Sequence, residues 1–145
     1  MVIKKCLYIP GPRIMFESDR SLIWFAGGEV NLPFIVRHRG IRKLMSNEFL
    51  KTSETGYITG CCMLISKETI KKLSGFDELF NMYCEDVDLC LRARKEGVKS
   101  FYVGGSEIYH RVSFSMGGNF SVSKAIKKIR SRIKLIRKNI LKQEV

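Results

Sequence analysis

The stretch FNMYCEDVDLCLRARKEG, residues 80–97, carries three acids at its centre: Glu85, Asp86 and Asp88. From Glu85 to Glu96 it reads as a helix. Val87, Cys90, Leu91 and Arg94 fall at i, i+3, i+4 and i+7, and Gly97 stands where such a helix stops. At a helix start, Glu85 and Asp86 have two readings. Acids in a first turn stabilise the helix dipole by roughly 0.3–1 kcal/mol each. Two adjacent carboxylates can also divide labour, one acting as a base while the other orients it or raises its pKa by like-charge repulsion. Asp86-Val87-Asp88 fits a D-x-D pattern of oxygen ligands for Mg²⁺ or Mn²⁺. On a helix, however, side chains two apart diverge by roughly 200°, which disfavours shared chelation.

Upstream, GYITGCCMLIS (56–66) is a continuous apolar run that reads as a buried strand. SKETIKKLSGF (66–76) reads as a short helix, with Ser66 as cap, Ile70 and Leu73 on one face and Gly75 closing it in the left-handed conformation. SLIWFAGGEV (21–30) is a short β-rich run ending in Gly27-Gly28, a turn or a close backbone approach. The first twenty residues read as a loop between strands, broken by Pro10-Gly11-Pro12. Residues 31–55 have poor periodicity and read mostly as loop, with one helical turn near 41–49. Downstream, VKSFYV (98–103) and SEIYHRV (106–112) read as two short strands, and SFSMGGNFS (113–121) as a Gly-containing loop. Strands and helices alternate, so the class is α/β.

The 145 residues suffice for one core and carry a formal net charge of +12. Such a charge suits an acidic partner: nucleic acid, a phosphate-bearing substrate or anionic lipid. After Ser121 there are nine cations against one acid, Glu144, so this tail holds +8 of the +12. Within it Ile126, Ile129, Ile133, Ile136 and Ile140 repeat at spacings of 3 and 4, a narrow apolar seam on a basic helix about 30 Å long. Three readings of the seam stand: packed on the domain with a solvated basic face, laid on an anionic membrane, or paired with another helix. A nucleic-acid-binding protein is the rival from another class, although no reading motif accompanies the charge.

The five cysteines are odd in number and contain no C-x-x-C, which indicates neither a disulfide framework nor a zinc site, and suggests reduced thiols in the cytosol. The uncharged run Thr55 to Ser66 is too short to span a bilayer. His110 closes the strand EIYH, where a neutral imidazole can bind a divalent ion or serve as a structural hydrogen-bonder. His38, inside the basic VRHRG, reads as surface, and Trp24 as core or as a platform for a sugar ring.

Together GPRIMFESDRSLIWFAGGEVN, YITGCCMLISKETIKKLSGFDELFNMYCEDVDLCLRARKEGVKSFYV and IYHRVSFSMGG resemble, in order and spacing, the C-terminal half of an inverting family 2 glycosyltransferase with the GT-A fold, in its rhamnosyltransferase-like branch. The resemblance covers roughly Gly11 to Gly118, and the combination of T-G, G-F-D-E-x-F, E-D-V-D-L-x-L-R and a later Y-H is what makes it specific.

The resemblance implies a partial GT-A fold over residues 1–120, lacking its N-terminal nucleotide-binding half, followed by a basic helix over 121–145. It implies Asp86 as the general base toward the acceptor hydroxyl and Glu85 as its support or as an acceptor ligand. Trp24, Thr59 and Gly60 would line the acceptor pocket, Asp88 and Arg92 would be supporting, and His110 would join a metal site. The complete enzyme would use a nucleotide-sugar donor, a glycan or lipid-linked acceptor and Mg²⁺ or Mn²⁺, a metal that this chain alone is not expected to bind well. The resemblance thus implies a truncated or split enzyme, or a remnant that only binds acceptor, located in the cytoplasm or peripherally on the inner face of the cell membrane. Its unpaired edges are expected to make the isolated chain self-associate.

Overall fold

The computed structural model describes residues 7–33, 35–111 and 122–140. Among these residues, six strands and three helices form a mixed α/β fold: β1 Tyr8–Phe16, β2 Ile23–Phe25, β3 Gly28–Asn31, β4 Ile35–His38, β5 Ser53–Thr55, α1 Lys67–Lys72, α2 Glu85–Lys95, β6 Lys99–His110 and α3 Val122–Ile140, with a 3-10 turn at Asn47–Leu50. The main sheet has the order β2-β1-β6-β5, and β3 and β4 form a separate antiparallel hairpin. Its central pair, β1 and β6, runs parallel. Ile9, Ile14, Phe25, Ile58, Leu89 and Leu135 are fully buried in the main core, and a second cluster gathers Met15, Ile23, Ala26, Phe49 and Tyr102.

The N-terminal reading needs correction, because β1 runs straight through Pro10-Gly11-Pro12. The Pro10 carbonyl accepts from Leu64 N, on the side away from β6. Pro12, two residues on, faces the same way, so neither proline removes a donor from the parallel ladder. The two short strands expected over 98–112 are one strand, β6, whose register against β1 jumps between Pro12/Val103 and Arg13/Glu107. Arg13 bridges this irregularity: its guanidinium donates twice to Glu107 Oε2, at 3.0 and 2.6 Å, and once to the Gly104 carbonyl.

Gly104 is pressed against the 3-10 turn, where a Cβ would meet the Leu50 backbone at 2.4 Å, whereas at Gly105 a Cβ would meet nothing within 4 Å. Gly104→Ala is therefore expected to cost about 1–3 kcal/mol, and Gly105→Ala far less. Urea unfolding of the two variants checks the contrast, and equal midpoints would contradict it.

Residues 31–55, expected to be mostly loop, contain the end of β3, all of β4 and β5, and a 3-10 turn at Asn47–Leu50 that overlaps the end of the anticipated window at 41–49. The apolar run at 56–66 is not a strand. It makes a single bridge, Tyr57 to Gly28, and then turns, with Cys62 N donating to Thr59 O. Both readings of Gly27-Gly28 hold at once. Gly27 has φ +95°, and Gly28 lies so close to Tyr57 that a Cβ would meet its ring at 2.1 Å.

Ser66 caps α1 by accepting from Thr69 N, and Gly75 closes it at φ +73°. In α2 the buried side is Val87, Asp88, Leu89, Cys90 and Ala93, while Arg94, expected on that face, is exposed and lies 3.9 Å from Glu54.

The helix expected in the tail is α3, but its buried side is not the isoleucine seam. Leu135 and Ser131 face the domain, and Ile126, Ile129, Ile133 and Ile140 are exposed. The loop expected at 113–121 lies outside the described residues, as do residues 1–6 and 141–145 of the two termini.

Candidate active site

The start of α2 is shaped by two successive residues in the left-handed region, Tyr83 at φ 67° and Cys84 at φ 66°. Neither is glycine, so the turn carries strain of the kind often held at functional positions. It delivers Glu85 and Asp86 as the first residues of the helix. Asp86 Oδ1 accepts from Val87 N at 2.8 Å, and Oδ2 accepts from Gly60 N at 2.9 Å. Each carboxylate oxygen is thus aimed by one backbone donor. Gly60 stands where a Cβ would touch Asp86 at 3.7 Å.

Cys90, one turn along α2, fixes the segment that carries Gly60, because its Sγ lies 3.4 Å from Ile58 N and 3.8 Å from Ile58 O. Burial pushes the Cys84 thiol up to about 11, with Asp86 and Glu85 adding to the rise, so this cysteine is a neutral thiol rather than a nucleophile at pH 7.

Glu85 is half-buried, and its Oε2 is enclosed without a hydrogen-bond partner among the described residues. Burial raises its pKa above the usual carboxylate range and the adjacent Asp86 raises it further, while a backbone bond opposes them. The native state therefore keeps the Glu85 proton to higher pH than the unfolded chain does. Stability falls as pH climbs from the ordinary carboxylate value through the raised one. Glu85→Gln is expected to melt higher than the native chain at pH 7, and the two curves should converge below about pH 4. Melting across that range checks it, and a variant that is less stable at pH 7 would contradict it.

Trp24, on β2, is partly buried between two imidazoles. Its ring meets His110 edge-on at 4.5 Å between centroids and His38 at 4.6 Å. His38 is the residue that sequence reading misplaced. It is not a surface histidine: it packs against Trp24 and Phe25 and places Nδ1 3.2 Å from the Trp24 carbonyl. Burial lowers its pKa; the Trp24 carbonyl and the Asp86 carboxylate pull it back up, and Lys128 and His110 push it down. Burial likewise lowers His110. The charges of Asp86, of His110 and of the α3 residue Lys128 thus all act on the His38 ring. The strand alternation of β4 was the available signal: Arg37 points out to Glu29 at 2.6 Å, so His38 points in.

The other expected residues take different positions. Thr59 is buried and shapes its own turn, its Oγ1 lying 3.4 Å from Cys61 N. Asp88 is fully buried, 2.7 Å from Arg92 Nε and 2.7 Å from Lys138 Nζ. Arg92 also donates to the Leu73 and Gly75 carbonyls at the end of α1. Asp86 and Asp88 are thus held by separate partners, and Asp86-Val87-Asp88 is not a chelating pair. Among the described residues no group of three or more His, Cys, Asp or Glu is placed to hold a metal ion. His110, packed on Trp24, does not by itself fit one.

Comparison with known proteins bears on this site. The chain is 40% identical over 72 residues to the N-acetylglucosaminyl-diphospho-decaprenol L-rhamnosyltransferase of Mycobacterium tuberculosis, covering 48% of this chain and 24% of that protein. It is 32% identical over 68 residues to the rhamnosyltransferase WbbL of Escherichia coli, covering 47% of this chain and 26% of that one. Over about half its length the chain is related to rhamnosyltransferases. This supports a glycosyltransferase relationship. An uncharacterised protein of Sinorhizobium fredii matches 77% of the chain at 31% identity, over 12% of its own length. No family model matches. The chain spans about a quarter of the length of the curated rhamnosyltransferases it matches.

Proposed function

We propose that this chain is the acceptor-side part of an inverting glycosyltransferase of GT-A type, with Asp86 as the general base. The observation that carries the reading is the Asp86 carboxylate, fixed by Gly60 N and Val87 N just after a strained turn, with its charge acting on His38. The rhamnosyltransferase relatives supply the reaction class.

In the proposed reaction an acceptor hydroxyl attacks the anomeric carbon of a nucleotide-sugar. The new C–O bond forms as the bond from that carbon to the diphosphate oxygen breaks, and the nucleoside diphosphate departs with the bonding electrons. Asp86 takes the hydroxyl proton as its oxygen becomes nucleophilic. Glu85, half-buried and next to Asp86, supports the base or binds the acceptor. The Trp24 ring supplies an apolar surface for a sugar face. Asp88 and Arg92 hold α2 and act on the reaction only by keeping Asp86 in place. Donor contacts belong to residues beyond this acceptor side. In the complete enzyme His110 would join further ligands around a divalent ion, whose charge would offset that developing on the leaving diphosphate.

The test is a transfer assay with a nucleotide-sugar and a soluble or lipid-linked glycan acceptor, the donor-binding half being supplied in trans. Release of nucleoside diphosphate is expected to depend on acceptor and on this chain. Equal release when this chain is omitted would contradict the proposal.

A further inference from the structure

Helix α3 presents its apolar face away from the protein. Around the helix, Ile126, Ile129, Ile133, Ile136 and Ile140 fall within an arc of about 80°, centred roughly 160° from Ser131 and Leu135. Ser131 and Leu135 are the buried positions of the helix. Polar anchors hold it in this orientation. Ser131 Oγ donates to the Met82 carbonyl at 2.7 Å, and Lys138 Nζ reaches both Asp77 and the buried Asp88. Ile129 is left 59% exposed, Ile133 44% and Ile126 43%, and Val122, in the same arc, 71%. The helix carries eight Lys and Arg and no acid in nineteen residues. Arg130 and Arg137 border the stripe on one side, and Arg132 borders it on the other.

We propose that this stripe is a docking surface for an anionic lipid bilayer. The isoleucines enter the headgroup boundary, and the bordering cations meet acidic headgroups. Charge complementarity selects this occupant. A second copy of α3 set on the same stripe would bring the Arg130 and Arg137 rows of two basic helices together, and a nucleic-acid backbone has no use for an apolar centre. No described helix is long and apolar enough to cross a membrane. The proposed contact therefore lies on the surface, and it does not depend on the transfer reaction.

The experiment is co-sedimentation of the full chain with sucrose-loaded vesicles, of phosphatidylglycerol mixed with phosphatidylcholine or of phosphatidylcholine alone. Binding is expected with the anionic vesicles, weakening as salt is raised, and little with the neutral ones. The Ile129→Gln/Ile133→Gln variant alters only exposed positions, so its circular dichroism should match the native chain while its partition falls at least about tenfold. Binding indifferent to lipid charge, no binding, or binding that survives the double substitution would overturn the proposal. So would a lipid-free dimer that the same substitutions dissociate, since the stripe would then belong to a second copy.

Discussion

Asp86→Asn is expected to lower sugar transfer by about 10²–10⁴-fold, the usual contribution of a positioned general base, while the chain remains folded. The substitution keeps the side-chain shape but removes the proton acceptor. It also has a structural consequence. Both Asp86 oxygens accept from backbone, Oδ1 from Val87 N and Oδ2 from Gly60 N. An asparagine can satisfy only one of these donors, and its amide nitrogen would face the other. A modest stability loss of about 1–3 kcal/mol is therefore expected as well. The two effects separate in kinetics. Loss of the base lowers kcat with little change in the acceptor KM, whereas a displaced Gly60 segment would raise KM. Native-like turnover in a folded Asp86→Asn protein would remove Asp86 from the chemistry.

Asp88→Ala should act through stability. Asp88 is fully buried, and its two oxygens serve Arg92 and Lys138 at 2.7 Å each. Arg92 ties α2 to the Leu73 and Gly75 carbonyls, and Lys138 ties α3 to the same acid and to Asp77. Asp88 is therefore the joint at which all three helices meet. Its removal leaves two cations facing an apolar gap, and breaking such a buried pair costs about 3–5 kcal/mol. That is a large share of the stability of a single domain, which runs about 5–15 kcal/mol. Lys138→Met should cost less, because the Asp88–Arg92 pair survives and the methionine stem keeps the contact near Phe80. Urea unfolding of both variants measures the difference. A loss below about 1 kcal/mol for Asp88→Ala would show that the buried carboxylate is dispensable.

What could be read from the sequence was local. The α1 cap at Ser66, the left-handed Gly75, the stop of α2 before Gly97 and its start at Glu85 follow from neighbouring residue types, and each is found where those types place it. What could not be read depended on distant partners. Pro10 and Pro12 suggested a break, yet β1 continues because both face away from β6. His38 looks solvated among arginines while 31–55 reads as loop, and the alternation of β4 that turns it toward Trp24 is visible only once that segment is a strand paired with β3.

The tail shows the limit most clearly. Isoleucine periodicity identifies an apolar face but not which face the protein covers. The anchors for Lys138, Asp77 and Asp88, are about fifty to sixty residues away in sequence, and they turn Leu135 inward and the seam outward. For the candidate site, the acids and His110 stood out by motif. The Tyr83-Cys84 turn that presents the acids is a backbone property with no signature in residue type.

Trp24 is the one tryptophan of the chain, so its emission reports on the proposed acceptor pocket alone. Titration of the folded protein with the glycan or lipid-linked acceptor of the transfer assay should change that emission saturably, and Glu85→Ala should weaken the apparent affinity by about tenfold through loss of a hydrogen bond to the carboxylate. Emission that stays constant to saturating ligand, in protein whose circular dichroism is native, would mean that Trp24, Glu85 and Asp86 do not form an acceptor site.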